Sequence, residues 1–106
     1  MKFGLTEATL AKIQGVFSSH PAVEKAVLYG SRAKGNFKAG SDIDLTLHGT
    51  ALTPVLVATI AEALDDLLLP YTIDLSMFDA IENDELREHI HRVGLDFYRR
   101  NSDARV

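Results

Sequence analysis

The chain contains no cysteine. Disulfide scaffolds, thiolate zinc sites and cysteine nucleophiles are thereby excluded. No apolar run approaches the length of a membrane span, and the Met1-Lys2-Phe3-Gly4-Leu5 start lacks the apolar core of a secretory signal. Internal repeats, low-complexity tracts and linkers are missing too. Nor is there an excess of positive charge, since 11 basic residues stand against 15 acidic ones for a formal net of −4. That balance disfavours stable binding of long nucleic acid through the overall field, but it does not bear on one nucleotide held at a local site. The expectation is a soluble, cytoplasmic protein without membrane association.

What is present is ordinary for a globular fold: 106 residues, 46% hydrophobic and 25% charged. This length suits one domain spanning 1–106, and folding at this size buries roughly 60–70% of the extended chain's surface. Thr6 is placed to cap a helix over 6–19, with Leu10, Ile13 and Phe17 on one side. Residues 23–29, ending Ala26-Val27-Leu28-Tyr29, read as a strand buried on both faces. Strict alternation follows in Ile43, Leu45 and Leu47 against Asp42, Asp44, Thr46 and His48, the pattern of a half-buried strand. Thr53-Pro54 starts a helix whose stripe is Leu56, Ile60, Leu64 and Leu67, stopped by Pro70. Residues 71–77 alternate again, Tyr71, Ile73, Leu75 and Met77 against Thr72, Asp74 and Ser76. The spacing of Leu86, Ile90, Val93 and Phe97 predicts a last helix over 83–99, and the tail Arg99–Val106 reads as frayed. The fold class is α/β (α+β), a small mixed sheet with helices packed on its apolar face.

Three polar features converge on one side of that sheet. Asp42 and Asp44 are two apart on a strand, so both carboxylates project to one face, about 6–7 Å apart at Cα. Such acids repel each other unless a cation lies between them, and hard oxygen donors select Mg²⁺ or Mn²⁺. Asp74 lies on the polar face of the next strand, and three carboxylates around one point suffice for two metal ions about 4 Å apart. The strand 23–29 runs into Gly30-Ser31, and a short helix is expected from Arg32-Ala33-Lys34. A strand, a Gly-Ser turn and a helix start together offer amides and a hydroxyl to phosphate.

Each feature alone has a bland explanation as solvated acids or a simple turn. Together they require more, because aspartate is disfavoured in strands and here three occupy strands whose other faces are apolar. Competing motifs fail on inspection. Gly30 and Gly35 have P-loop spacing, but Asn36 and Phe37 stand where Lys and Ser/Thr are needed. An EF-hand loop from Asp42 breaks at Thr46 and Leu47. No Gly-x-Ser-x-Gly elbow supports a serine hydrolase. Of the histidines, His48 lies roughly 13 Å along the strand from Asp44. His89 and His91 point in different directions on a helix, which reads as surface or partner-facing.

The run GSRAKGNFKAGSDIDL, residues 30–45, resembles the signature of the nucleotidyltransferase superfamily that includes DNA polymerase beta: Gly-Ser, ten residues, then Asp42-Ile43-Asp44-Leu45. The family's third carboxylate maps onto Asp74, and the resemblance extends to the His91…Gly94…Tyr98 stretch. It is closest to the minimal nucleotidyltransferases. The resemblance implies a polymerase beta-like fold in which Asp42, Asp44 and Asp74 are catalytic and hold two Mg²⁺ ions, with Mn²⁺ as a substitute. Gly30, Ser31 and Arg32 would bind the phosphates of ATP or another NTP, with side-chain charge from Arg32 and Lys34.

It also implies a function. Minimal nucleotidyltransferases pair with small helical HEPN proteins, and such an antitoxin transfers AMP to a tyrosine of its RNase partner or masks it. The alternative is a non-catalytic nucleotide-binding module that works by binding that partner, and an Asp-x-Asp glycosyltransferase is a remote third reading. Homo- and hetero-oligomers are both open. Larger relatives carry a second domain for base and acceptor, so a partner is expected to complete the site.

Overall fold

The Thr6 hydroxyl accepts a hydrogen bond from the Thr9 amide at 3.2 Å. This cap starts α1, Glu7–Ser18, which buries Leu10, Ile13 and Phe17 as its spacing requires. The computed structural model describes residues 1–100, and the expected frayed tail falls from 101 onward outside the described residues. After α1 come β1 (Lys25–Tyr29), α2 (Gly30–Lys34), β2 (Ile43–His48), α3 (Pro54–Asp65) and β3 (Ile73–Met77). A 3-10 turn at Phe78–Ala80, α4 (Asp84–Val93) and β4 (Leu95–Arg99) complete the described chain. Thr53 caps α3 as its dipeptide with Pro54 requires, accepting from the Leu56 amide at 3.1 Å.

The strands form one mixed sheet in the order β3-β2-β1-β4. β1 pairs antiparallel with both β2 and β4, whereas β2 and β3 run parallel, joined through α3. Period-two alternation then divides the side chains. Ala26, Leu28, Ile43, Leu45 and Leu47 join Ile13 and Phe17 of α1 and Ile60 and Leu64 of α3 in the main core. Val27 and Tyr29 point to the other face and pack with Phe78 and Ile90, forming a smaller core beneath α4. This second layer is why Thr46, on the polar face of β2, has 0% of its surface exposed. The alternation alone predicts a half-open strand there.

The helix expected over 83–99 ends at Val93, and residues 95–99 are strand β4 instead. Gly94 carries the change. A Cβ there would sit 2.4 Å from the Ile90 carbonyl and 2.7 Å from Val27 Cγ1, so only glycine lets the chain pass this close to β1 and turn. Phe97 therefore belongs to the main core on the opposite face from Ile90, despite its helical spacing. A shift in the β1–β4 register near Ala26 and Val27 accommodates the extra residue. Arg99 lies within β4, and the Arg100 amide donates to the Glu24 carbonyl at 2.9 Å, so these two residues of the expected frayed tail are paired with the fold.

Candidate active site

Parallel pairing of β2 and β3 sets Asp44 directly opposite Asp74. Neighbouring strands lie about 4.8 Å apart, so the two acids are adjacent on one face. Asp42 is one residue before β2 on the same side. Burial pushes the Asp44 carboxyl above its ordinary range, the negative charges of Asp74 and Asp42 push it further, and His89 acts weakly in the opposite direction. Burial likewise raises the neighbouring Tyr29 phenol, with added repulsion from Asp74 and Asp44.

The Gly-Ser turn lies against this acid cluster. Tyr29, the last residue of β1, pairs with Asp44, and Gly30 then adopts φ +75 to start α2. A side chain at Gly30 would place its Cβ 2.4 Å from Asp44 Oδ2. Glycine is required there both by the backbone angle and by the carboxylate packed onto it. Ser31, in the first turn of α2, is half-buried beside them.

Arg32 is placed otherwise than its sequence reading suggests. Its side chain is 2% exposed and turned inward. The guanidinium donates to the carbonyls of Phe3 (2.8 Å), Ala39 (3.3 Å) and Ser41 (2.9 and 3.1 Å). It also lies 5.0 Å from the ring centroids of both Phe37 and Tyr71. The positive charge expected to face a triphosphate is thus spent on backbone carbonyls and aromatic faces, and of the two cations only Lys34 is exposed.

His89, read from the sequence as surface or partner-facing, sits at the site. Its Nε2 accepts the Gly30 N–H at 3.3 Å, and its ring meets Tyr29 edge-on at 6.2 Å. No local pattern announces this contact across 59 residues. His48 lies at the far end of the face, stacked on Phe78 at 4.6 Å, with its pKa lowered by burial and by Lys25.

The donor set suits a hard divalent cation: three carboxylates on one face, one of them raised by burial and by the other two. As the side chains stand, no group of three His, Asp or Glu among the described residues is arranged to hold a metal ion. The acids share a face and a charge field without closing into a cage.

A mixed sheet with a Gly-Ser turn after its first strand and acids on the next two has the build of a nucleotidyltransferase domain. A family model described as "Polymerase beta, Nucleotidyltransferase" matches residues 11–103, and the chain belongs to that family. Solved structures with the same fold include a toxin–antitoxin with AMP-PNP, at TM-score 0.67 and 21% identity over 93% of this chain and 77% of that one. Another is the toxin–antitoxin MntA–HepT, at TM-score 0.65 and 18% identity over 92% and 76%. A third is the tri-AMPylated Shewanella oneidensis HEPN toxin in complex with MNT antitoxin, at TM-score 0.66 and 18% identity over 94% and 77%. At these identities the likeness is one of fold. No curated protein matches the sequence. Among the described residues, no helix is long and apolar enough to cross a membrane.

Proposed function

We propose that the protein is a metal-dependent nucleotidyltransferase that moves AMP from ATP onto a hydroxyl of a partner protein. The acceptor we favour is a tyrosine of a HEPN-type helical RNase, with this chain as the antitoxin. The observation that carries the chemistry is the juxtaposition of Asp44 and Asp74 in register with Gly30 packed on the Asp44 carboxylate. The partner is supported by fold relatives, one an AMP-PNP complex and another containing an AMPylated HEPN toxin.

Asp42 and Asp44 would hold divalent ions, with Asp74 completing the set at the catalytic position. Bound Mg²⁺ or Mn²⁺ supplies charge neutralisation for the triphosphate and its pyrophosphate leaving group. Ser31, with the Gly30–Arg32 backbone, grips the terminal phosphates. Asp74, opposite Asp44 across the β2–β3 ladder, would help activate the acceptor hydroxyl and take up its proton. The acceptor oxygen forms a bond to the α-phosphorus, the bond to the bridging oxygen breaks, and pyrophosphate departs in line.

The test is transfer of α-labelled ATP to a HEPN-type partner with Mg²⁺, repeated with Asp42→Asn and Asp44→Asn. Transfer by wild type and its loss in both variants is the expected result. Transfer that survives both substitutions removes the metal mechanism. Tight partner binding by wild type and variants alike, with no transfer by any, establishes the masking module in its place.

A further inference from the structure

Helix α4 is fastened at two points, and both adjoin strands that build the site. Near its start, Arg87 Nη1 donates to the carbonyls of Phe78 and Ile81, each at 3.0 Å, tying the helix to the turn that follows β3 and Asp74. Two residues on, His89 Nε2 accepts the amide of Gly30, the residue that follows β1. Ile90 beside it is buried against Val27 and Tyr29, so the ring cannot drift without moving the small core. In this hydrogen bond the Gly30 amide is the donor and the ring Nε2 the acceptor.

The turn that His89 holds has little freedom to spare. Gly30 sits at φ +75, and its Cα is packed so closely on Asp44 Oδ2 that any Cβ would collide with it. A rotation of the 29–30 peptide would therefore move the Asp44 carboxylate as well. The same hydrogen bond occupies the Gly30 amide at the start of α2.

We propose that His89 is a positioning residue of this site: by accepting the Gly30 N–H it fixes the Gly-Ser turn against Asp44 and withdraws that amide from phosphate binding. The proposal rests on the nucleotidyltransferase reading above and narrows it. The phosphate grip falls to the Ser31 hydroxyl and the amides of Ser31 and Arg32, and α4 becomes the element that sets the geometry of the acids.

The experiment compares the full chain with His89→Ala, His89→Asn and His89→Gln. Glutamine places a carbonyl oxygen as many bonds from Cβ as Nε2, and asparagine falls one short. Amide hydrogen exchange at Gly30, read by NMR without nucleotide or partner, is expected to lose about tenfold protection in the alanine and asparagine variants and to keep it in glutamine. In AMP transfer from ATP to a HEPN-type partner with Mg²⁺, kcat is expected to fall about ten- to a hundredfold in the first two, with KM for ATP unchanged and recovery in glutamine. Equal Gly30 protection in all four proteins overturns the proposal. So does a raised KM with unchanged kcat, or a loss that glutamine does not recover. If wild type transfers nothing, the nucleotidyltransferase reading fails, and Gly30 exchange alone decides whether His89 holds the turn.

Discussion

Arg32 donates two hydrogen bonds to the carbonyl of Ser41, the residue directly before Asp42. The guanidinium thereby ties α2, the 35–41 loop and the N-terminal Phe3 carbonyl to one buried point next to the first acid. A planar fork serves three carbonyls where an ammonium would not. Arg32→Ala is expected to cost about 3 kcal/mol by emptying a buried side-chain site and leaving part-buried carbonyls unpaired, and Arg32→Lys is expected to recover little of it. Urea unfolding checks this, as a lower midpoint with unchanged slope. A small stability change with a raised KM for ATP would return Arg32 to the phosphate.

Gly30→Ala tests the contact between turn and carboxylate. At φ +75 an alanine is strained by about 1 kcal/mol. The collision at 2.4 Å falls on Asp44 Oδ2, so the carboxylate must move. The expected outcome is a modest loss of stability and a much larger loss of Mn²⁺ affinity, the first read by thermal melting and the second by titration. Gly35→Ala is the control, because Gly35 has φ +86 but open space around its added Cβ. It should lose stability alone.

Much of this arrangement is visible in the sequence because strands and helix starts have local signatures. Asp42 and Asp44 alternate with Ile43 and Leu45, so their shared face follows from the strand period alone. Thr6 and Thr53 likewise announce the caps that they form. The spacing of Ile90, Val93 and Phe97 misleads, because a period of three to four cannot reveal that Gly94 reverses the chain and sends Phe97 to the other face of the sheet. Arg32 and His89 fail for a related reason. Their roles lie in contacts made by the folded chain, Phe3 and Tyr71 around one and Gly30 against the other, and a charged or imidazole side chain looks the same in sequence whether buried or solvated.

Thr46 offers a prediction of opposite sign. Its side chain is fully buried beneath the second layer, and among the described residues its hydroxyl has no hydrogen-bond partner. An unpaired buried hydroxyl costs free energy that an apolar isostere avoids. Thr46→Val is expected to stabilise the protein by about 1 kcal/mol in urea unfolding, with AMP transfer unchanged. Destabilisation would mean that the hydroxyl is paired in solution.

Asp44 sets function against stability, and the sign follows from its raised pKa. Burial, then Asp74 and Asp42, keep this carboxyl protonated in the folded protein at a pH where the unfolded chain has already released its proton. The folded state then binds more protons than the unfolded one, so stability falls as pH rises from the ordinary carboxylate range, about 3.9, through the raised folded value. Above that window the ionised carboxylate is a standing cost in the absence of metal. Asp44→Asn is therefore expected to melt higher than wild type in chelator at neutral pH, with the difference shrinking toward pH 4. Mg²⁺ should invert the order, since an ion bound only by the folded wild type stabilises it in proportion to occupancy and the variant loses a ligand. Thermal melting of both proteins from pH 4 to 8, with EDTA and with Mg²⁺, checks each arm. A wild type that melts higher than Asp44→Asn in EDTA at neutral pH would show the carboxylate already neutralised by the protein itself, and the acid cluster would then have no call for a cation.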